Sequence, residues 1–321
     1  MAEPKMPDRW RDSTFVAWCL LIRPLILFIS CFGASVGAFN VTIATVPVNQ
    51  GIHLAPIVYL LMLLGAGLLS AGLMIHNDYT DYASDCVNRP RKPLPRGIVS
   101  MAMARFWGIL LMAGSVVVGA AISLPTTGRL NWPCAILTAA VVVIGIAYNR
   151  WGKHWGIWGH AMVAFGVGAI PVWGSWAVRP DSLAMMLPLG VAIFVMEIGR
   201  EIMVCAGDIK GDIAAGYATT PIRLGRIPAM LVALGFYTAA LPLYPIPYFG
   251  WLGFPILFGP LYMVGAVVFA GILYVTWILT FMVVRRGDDA AVWEAFERNI
   301  RLGTRLGVVA FQVILFLEAF L

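Results

Sequence analysis

Charge is what this 321-residue sequence has least of: Asp, Glu, Lys and Arg make up 12% of it, while apolar residues reach 60%. A soluble domain carries about a quarter of its residues as charges, so a chain folded in water is excluded. Cysteines are few and solitary. Cys19, Cys31, Cys86, Cys134 and Cys205 form no C-x-x-C pair, which argues against a zinc site or a disulfide framework. Linkers rich in Pro, Gly and Ser and long polar inserts are absent too, so residues 1–321 read as one domain. Met1 to Asp12 lacks a short basic cap, and no small-residue cleavage site follows the first apolar run; that run is expected to be a retained span and not a signal peptide.

What is present is apolar length. Runs of about 20 residues, enough to cross a bilayer at helical rise, recur at roughly 16–39, 54–76, 104–124, 133–149, 157–177, 184–206, 228–247, 256–283 and 303–321. The predicted fold class is therefore all-α, a polytopic bundle of nine transmembrane helices around a central cavity. The formal charge of +6 does not point to nucleic acid, because its distribution is one-sided. Of 22 Lys and Arg residues, only Arg129 and Arg179 fall on one side of the predicted spans and the other 20 on the opposite side. That bias places the N-terminus and loops 2–3, 4–5, 6–7 and 8–9 in the cytoplasm.

The acids are concentrated in two segments, each following an even-numbered span and each ending in a Pro-turn that leads to Gly: residues 76–97 and 197–225. The echo suggests an internal duplication of a four-helix unit, roughly 16–150 and 157–283, with the last span as an addition. In the first segment Asn77, Asp81 and Asp85 are spaced i, i+4, i+8, and Asp78 stands three residues before Asp81. Asp208 and Asp212 repeat the i, i+4 spacing, with Glu201 seven residues upstream on about the same face. An Asp well inside a membrane span costs on the order of 2.5 to 3.5 kcal/mol, and Mg²⁺ offsets such a cost through carboxylates and substrate phosphate oxygens. Loop cations Arg89, Arg91, Lys92, Arg96, Lys153 and Lys210 add charge suited to an anion. A single Asp-x-x-x-Asp is more often a solvated helix boundary; two facing ones of the same orientation are not. Asp288, Asp289, Glu294 and Glu297 have no such counterpart and read as a solvated amphipathic loop helix.

Asn77-Asp78-x-x-Asp81-x-x-x-Asp85, then Arg89-x-x-Lys92-Pro93-Leu94-Pro95-x-Gly97, resembles the first signature of the UbiA-type intramembrane prenyltransferases. Tyr148-x-x-x-x-Lys153 is similar to their Tyr/Lys motif, and Asp208-x-x-x-Asp212 to their second aspartate motif. Gly199-Arg200-Glu201, Gly211-Asp212-x-x-x-Gly216 and Thr220-Pro221-Ile222-x-x-Gly225 are most like the branch of digeranylgeranylglyceryl phosphate and chlorophyll synthases. The resemblance implies Mg²⁺-dependent prenyl transfer from a prenyl diphosphate, geranylgeranyl diphosphate in that branch, to a lipophilic acceptor such as a prenylglyceryl phosphate or an aromatic ring. It implies metal ligation by Asn77, Asp78, Asp81, Asp85, Asp208 and Asp212, diphosphate binding by Arg23, Arg89, Lys92 and Lys153, and a carbocation faced by the Tyr148 ring.

Two departures stand out: Cys205 replaces an Asp usual in this branch, and His160 stands where relatives often have Asn. Both also suit ordinary packing, as Arg23 suits an inner-leaflet anchor and Trp151, Trp155 and Trp158 an interfacial belt. Two other functions fit parts of the pattern. A UbiA-type terpene cyclase would act on the prenyl diphosphate alone, and a transporter would need no chemistry, although transporters usually carry inverted repeats.

Overall fold

The structure is a computed structural model that describes residues 13–45, 54–285, 287 and 290–318. Among these residues helices are the regular secondary structure, without strands, and nine helices are long and apolar enough to cross a membrane. The elements are α1 (Thr14–Ile22), α2 (Pro24–Thr45), α3 (Pro56–Thr80), α4 (Tyr82–Asn88), α5 (Met101–Ala121), α6 (Leu124–Thr127), α7 (Trp132–Arg150), α8 (Ile157–Val178), α9 (Leu183–Ala214), α10 (Thr220–Leu224), α11 (Arg226–Ala240), α12 (Ile246–Phe249), α13 (Pro260–Val284) and α14 (Ala290–Glu318).

Helix starts follow local chemistry. Pro stands in the first turn of α2, α3, α7 and α13, where its missing N–H costs nothing. The Ser100 and Asn131 side chains accept the Met103 and Cys134 N–H groups to cap α5 and α7. One expectation is corrected here. The first apolar run is not one span over 16–39: the chain breaks at Arg23, whose φ of 53° is left-handed, and a new helix starts at Pro24 and runs on to Thr45. A residue preceding proline is sterically disfavoured from continuing a helix, so the Arg23-Pro24 pair turns the segment into a short helix followed by the true span. The last helix begins at Ala290, well before residue 303. Asp288 and Asp289 lie outside the described residues, and Glu294 and Glu297 occupy α14 positions whose side chains are likewise outside them.

Neighbouring spans pack in the cyclic order α2, α3, α5, α7, α8, α9, α11, α13, α14 and back to α2. The ring is pinched where α2 meets α8. A methyl group at Gly37 would overlap the Pro171 carbonyl, and one at Gly174 would overlap the Ala34 carbonyl; the two backbones approach closely because these residues have no Cβ. The largest core cluster lies on the α9, α11, α13 and α14 side, around Met203, Met230, Tyr262 and Phe296, and a second lies among α2, α3, α7 and α8 around Met62, Cys134 and Trp173. Both leave the inner ends of α3 and α9 free to carry polar groups.

Candidate active site

The end of α3 supplies Asn77 and Asp78, the junction supplies Asp81, and α4 supplies Ser84, Asp85 and Asn88. The acidic stripe is not one unbroken helix. Regular helical geometry lapses at Asp81 (φ −84°, ψ 7°), yet Asp81 N–H still donates to Asn77 O at 2.8 Å and Asp85 N–H to Asp81 O at 2.7 Å. The chain therefore bends without losing its hydrogen bonds, and the acids divide between Lys92 on one side and Lys153 on the other. Asp78, buried, meets Arg23 and accepts Lys92 Nζ at 2.9 Å. Lys92 Nζ also donates to Asp85 Oδ2 at 2.7 Å. Asp81 pairs with Lys153.

The second segment, on α9, comes directly against the first. Asp212 Oδ1 accepts the Ser84 hydroxyl at 3.2 Å, and Arg89 Nη2 lies 2.6 Å from both oxygens of Asp208. Asn88 locks the two together through main chain: its Nδ2 donates to Asp208 O at 2.9 Å, and its Oδ1 accepts Gly211 N–H at 2.8 Å. Gly211 is a required glycine, because a Cβ there would run into the Asn88 side chain and lie 2.6 Å from Ser84 O. Residues 128 positions apart in sequence thus share one polar floor.

Lys153 sits in a 3-10 turn, Gly152–His154, and is only 5% exposed, so it is no ordinary loop charge. The turn is tied down by Ala218 N–H donating to Lys153 O at 3.2 Å and by Arg223 on His154 O. Its ammonium lies 5.7 Å from the Tyr148 ring centroid and 5.1 Å from that of Tyr217. The Tyr217 hydroxyl is 3.4 Å from Asp81 Oδ1; burial first, and then the Asp81 carboxylate, push its phenol well up from the ordinary value, so it remains a proton donor. Burial also pushes the Asp85 carboxyl up, against the pull of Lys92.

Every sequence-predicted site residue falls in this one region, though with unequal roles. Asn77 donates to Asn149 Oδ1 at 3.0 Å, and Asn149 in turn contacts His76 Nδ1 at 2.8 Å. Beside the floor a cavity of about 320 Å³ is lined by Arg23, Arg89, Arg91, Lys92 and Arg96 against a single acid, Asp78. Lys210 is exposed. Cys205 is buried one turn inside Asp208 on α9. His160 stays apart from the acids: its Nε2 is 3.0 Å from Thr220 Oγ1. Trp151, Trp155 and Trp158 are exposed, as an interfacial belt requires. A larger cavity of about 770 Å³ at the far ends of the spans, next to Arg129 and Arg179, has no acid in its lining. Ser84, Asn88, Asn149 and Tyr217 were missed by sequence reasoning; only Asn88, adjoining the Arg89 motif, carried a usable hint.

Among the described residues no three His, Cys, Asp or Glu side chains gather tightly enough to cage an ion on their own. The donor set nonetheless fits a hard divalent cation. It is made of oxygens, it brings carboxylates from two elements to one floor, and each acid is held by a group that can change partner. Mg²⁺ characteristically takes one or two carboxylates and completes its octahedron with water and phosphate oxygens, which is what an incomplete cage permits.

Comparison with known proteins bears on the family and the fold. The family described as the UbiA prenyltransferase family matches residues 38–302. A digeranylgeranylglyceryl phosphate synthase of Methanopyrus kandleri is 30% identical over 298 residues, covering 92% of this chain and 97% of that protein. Among solved structures, a digeranylgeranylglyceryl phosphate synthase in membranes superposes with a TM-score of 0.63 at 18% identity, over 94% of this chain and 98% of that one. A UbiA homologue of Archaeoglobus fulgidus, bound to GPP and Mg²⁺, gives 0.59 at 17% identity over 92% and 99%. At these identities the structural likeness speaks for the fold.

Proposed function

Because the chain belongs to the UbiA prenyltransferase family and is thus an integral-membrane prenyltransferase, we propose that it carries a geranylgeranyl group from geranylgeranyl diphosphate to the hydroxyl of a prenylglyceryl phosphate, with Mg²⁺. The observation that carries this reading is the meeting of the two acidic segments: Arg89 on Asp208, Ser84 on Asp212 and Asn88 on the α9 backbone. The positive-inside bias puts this face in the cytoplasm.

Asn77, Asp81, Asp85, Asp208 and Asp212 would hold Mg²⁺, with Asp78 adjacent. Bound metal would supply charge stabilisation to a diphosphate leaving group. The rest is done by the chain. Arg23, Arg89, Lys92 and Lys153 bind the diphosphate oxygens; they already stand beside the acids and need only rotate toward an arriving anion. With the leaving group's charge so met, the allylic C–O bond breaks heterolytically, its electron pair going to the diphosphate. The Tyr148 ring face, near Lys153, receives the allylic cation, and the apolar walls of the bundle keep water from it. The acceptor oxygen then forms the new bond to the terminal prenyl carbon and loses its proton.

The test is incubation of purified protein with Mg²⁺ and geranylgeranyl diphosphate, with and without geranylgeranylglyceryl phosphate. The proposal requires an ether product that appears only with the acceptor and that is lost in Asp81→Ala and Asp208→Ala. A hydrocarbon or alcohol formed from the donor alone would instead establish the cyclase reading, for which the absent carboxylate at Cys205 is the supporting feature.

A further inference from the structure

Transfer to a hydroxyl leaves a proton to be disposed of, and the four cations and the aspartates of the floor have no vacant part in that step. One buried cluster outside the floor does. Midway along α9, Arg200 Nε donates to Glu197 Oε2 at 2.7 Å, and its Nη2 contacts both Glu197 Oε1 and Glu201 Oε1. Their side chains are 23% (Arg200), 3% (Glu197) and 12% (Glu201) exposed. Charges at the centre of a membrane helix cost on the order of 2.5 to 3.5 kcal/mol each, and one carboxylate suffices to neutralise one guanidinium. The second is surplus. Glu197 takes the fork of Arg200 and forms the neutral pair; Glu201 is held by one oxygen only, and among the described residues its Oε2 accepts no hydrogen bond.

The surplus acid faces the reaction. At 100° per residue, Glu201, Cys205, Asp208 and Asp212 fall within an arc of roughly 60° on one side of α9, and Glu201 lies about 10 Å deeper than Asp208 at helical rise. Glu201 is only 12% exposed and stands one turn from buried Cys205 on the same face of α9, so it faces the interior and not lipid. It sits on the prenyl side of the diphosphate floor.

We infer that Glu201 is the base that removes the acceptor's hydroxyl proton, with Arg200 and Glu197 as its positioning residues; this rests on the prenyl-transfer reading above. The C–O bond of the donor breaks with its electrons going to diphosphate. A lone pair of the acceptor oxygen forms the new C–O bond, and the O–H proton passes to Glu201 Oε2, leaving a neutral carboxylic acid beside a neutral Glu197–Arg200 pair. Water later carries the proton away.

The experiment separates ionisation from transfer. Geranylgeranyl diphosphate carrying ¹⁸O in the bridging position is incubated with purified protein and Mg²⁺. Scrambling of the label into non-bridging positions, without acceptor, reports reversible C–O cleavage; ether formation with geranylgeranylglyceryl phosphate reports transfer. In Glu201→Gln, scrambling is expected to stay within about twofold of the unmodified protein, itself proof of a folded site, while transfer falls about 10²- to 10⁴-fold. Glu201→Asp keeps scrambling and restores part of the transfer. Normal transfer in Glu201→Gln overturns the inference, and so does an equal loss of scrambling and transfer in both variants, which would make Glu201 structural. If the unmodified protein neither scrambles nor transfers, prenyl transfer itself is refuted, and the inference with it.

Discussion

Asn88 touches no acid side chain that would hold a metal, yet it joins the two halves of the floor, and its removal measures how much that junction matters. Asn88→Ala deletes the bonds at 2.9 Å to Asp208 O and 2.8 Å from Gly211 N–H. Net, each such bond contributes about 0.5 to 1.5 kcal/mol, so the two segments lose about 1 to 3 kcal/mol of mutual positioning. At about 1.4 kcal/mol per decade, Mg²⁺-dependent affinity for a non-ionising geranylgeranyl thiodiphosphate is expected to weaken roughly 5- to 150-fold. The assay is calorimetric titration in detergent micelles, with helical circular dichroism confirming that the variant is folded. Gly211→Ala attacks the same junction from the other side, where a Cβ would strike the Asn88 side chain and crowd Ser84 O at 2.6 Å. Since the Ser84 contact survives truncation of Asn88, the double variant should be no better than Gly211→Ala. Affinity unchanged within twofold in a folded Asn88→Ala protein would refute the reasoning, because the two acidic segments would then not need each other to bind one ligand.

Lys153→Ala leaves Asp81 without its buried partner and is expected to lower kcat/KM at least 100-fold in the ether-forming assay; Lys153→Arg should not rescue it, since Lys153 is 5% exposed and the fork does not fit a point-charge site. Removing divalent metal with EDTA should abolish product, and added Mg²⁺ should restore it; activity persisting in EDTA would contradict the proposed ligand set. Cys205→Asp adds a buried acid one turn from Asp208, so the thermal unfolding temperature is expected to drop in EDTA and to rise with Mg²⁺ by more than in the unmodified protein. Gly174→Ala drives a methyl into the Ala34 carbonyl and should cost about 1 to 3 kcal/mol of stability as overpacking, read as an earlier melting transition.

The spans were legible because bilayer thickness imposes a length on each of them, and the two acidic segments were legible because acids are so scarce elsewhere that their spacing stands out. What sequence did not reveal depended on bends and on register. The Arg23-Pro24 break was written in the sequence, but a long apolar run reads as continuous unless proline's effect on the preceding residue is weighed against it. The bend at Asp81 sends Asp78 and Asp85 to Lys92 and Asp81 to Lys153, a division that i, i+4 spacing conceals. Asn88, Ser84 and Tyr217 become site residues only through the axial offset between α4 and α9, a quantity fixed by packing and by Gly211, and no local pattern encodes it.

The pairing of acids with bases explains how so much charge survives in this chain before any ligand arrives. Arg23, Arg89, Lys92 and Lys153 each lie on one or two of Asp78, Asp81, Asp85 and Asp208, and Asp212 takes a hydroxyl, so no carboxylate of the floor is left bare in a low-dielectric setting, where an unpaired one is expensive. The same four cations are the groups proposed to face a diphosphate. On that reading, ligand binding is an exchange of partners: the bases turn from carboxylate to phosphate while the acids turn to metal, and neither set passes through an uncompensated state. The exchange predicts mutual dependence. Mg²⁺ should bind weakly without the diphosphate, because the acids would have to abandon Lys and Arg with nothing to take their place, and the diphosphate should bind weakly without Mg²⁺ for the mirror reason. Titrating each alone and then together measures the coupling; affinities that are independent of order and of the other ligand would mean that the pairs in the structure are not the ones that open.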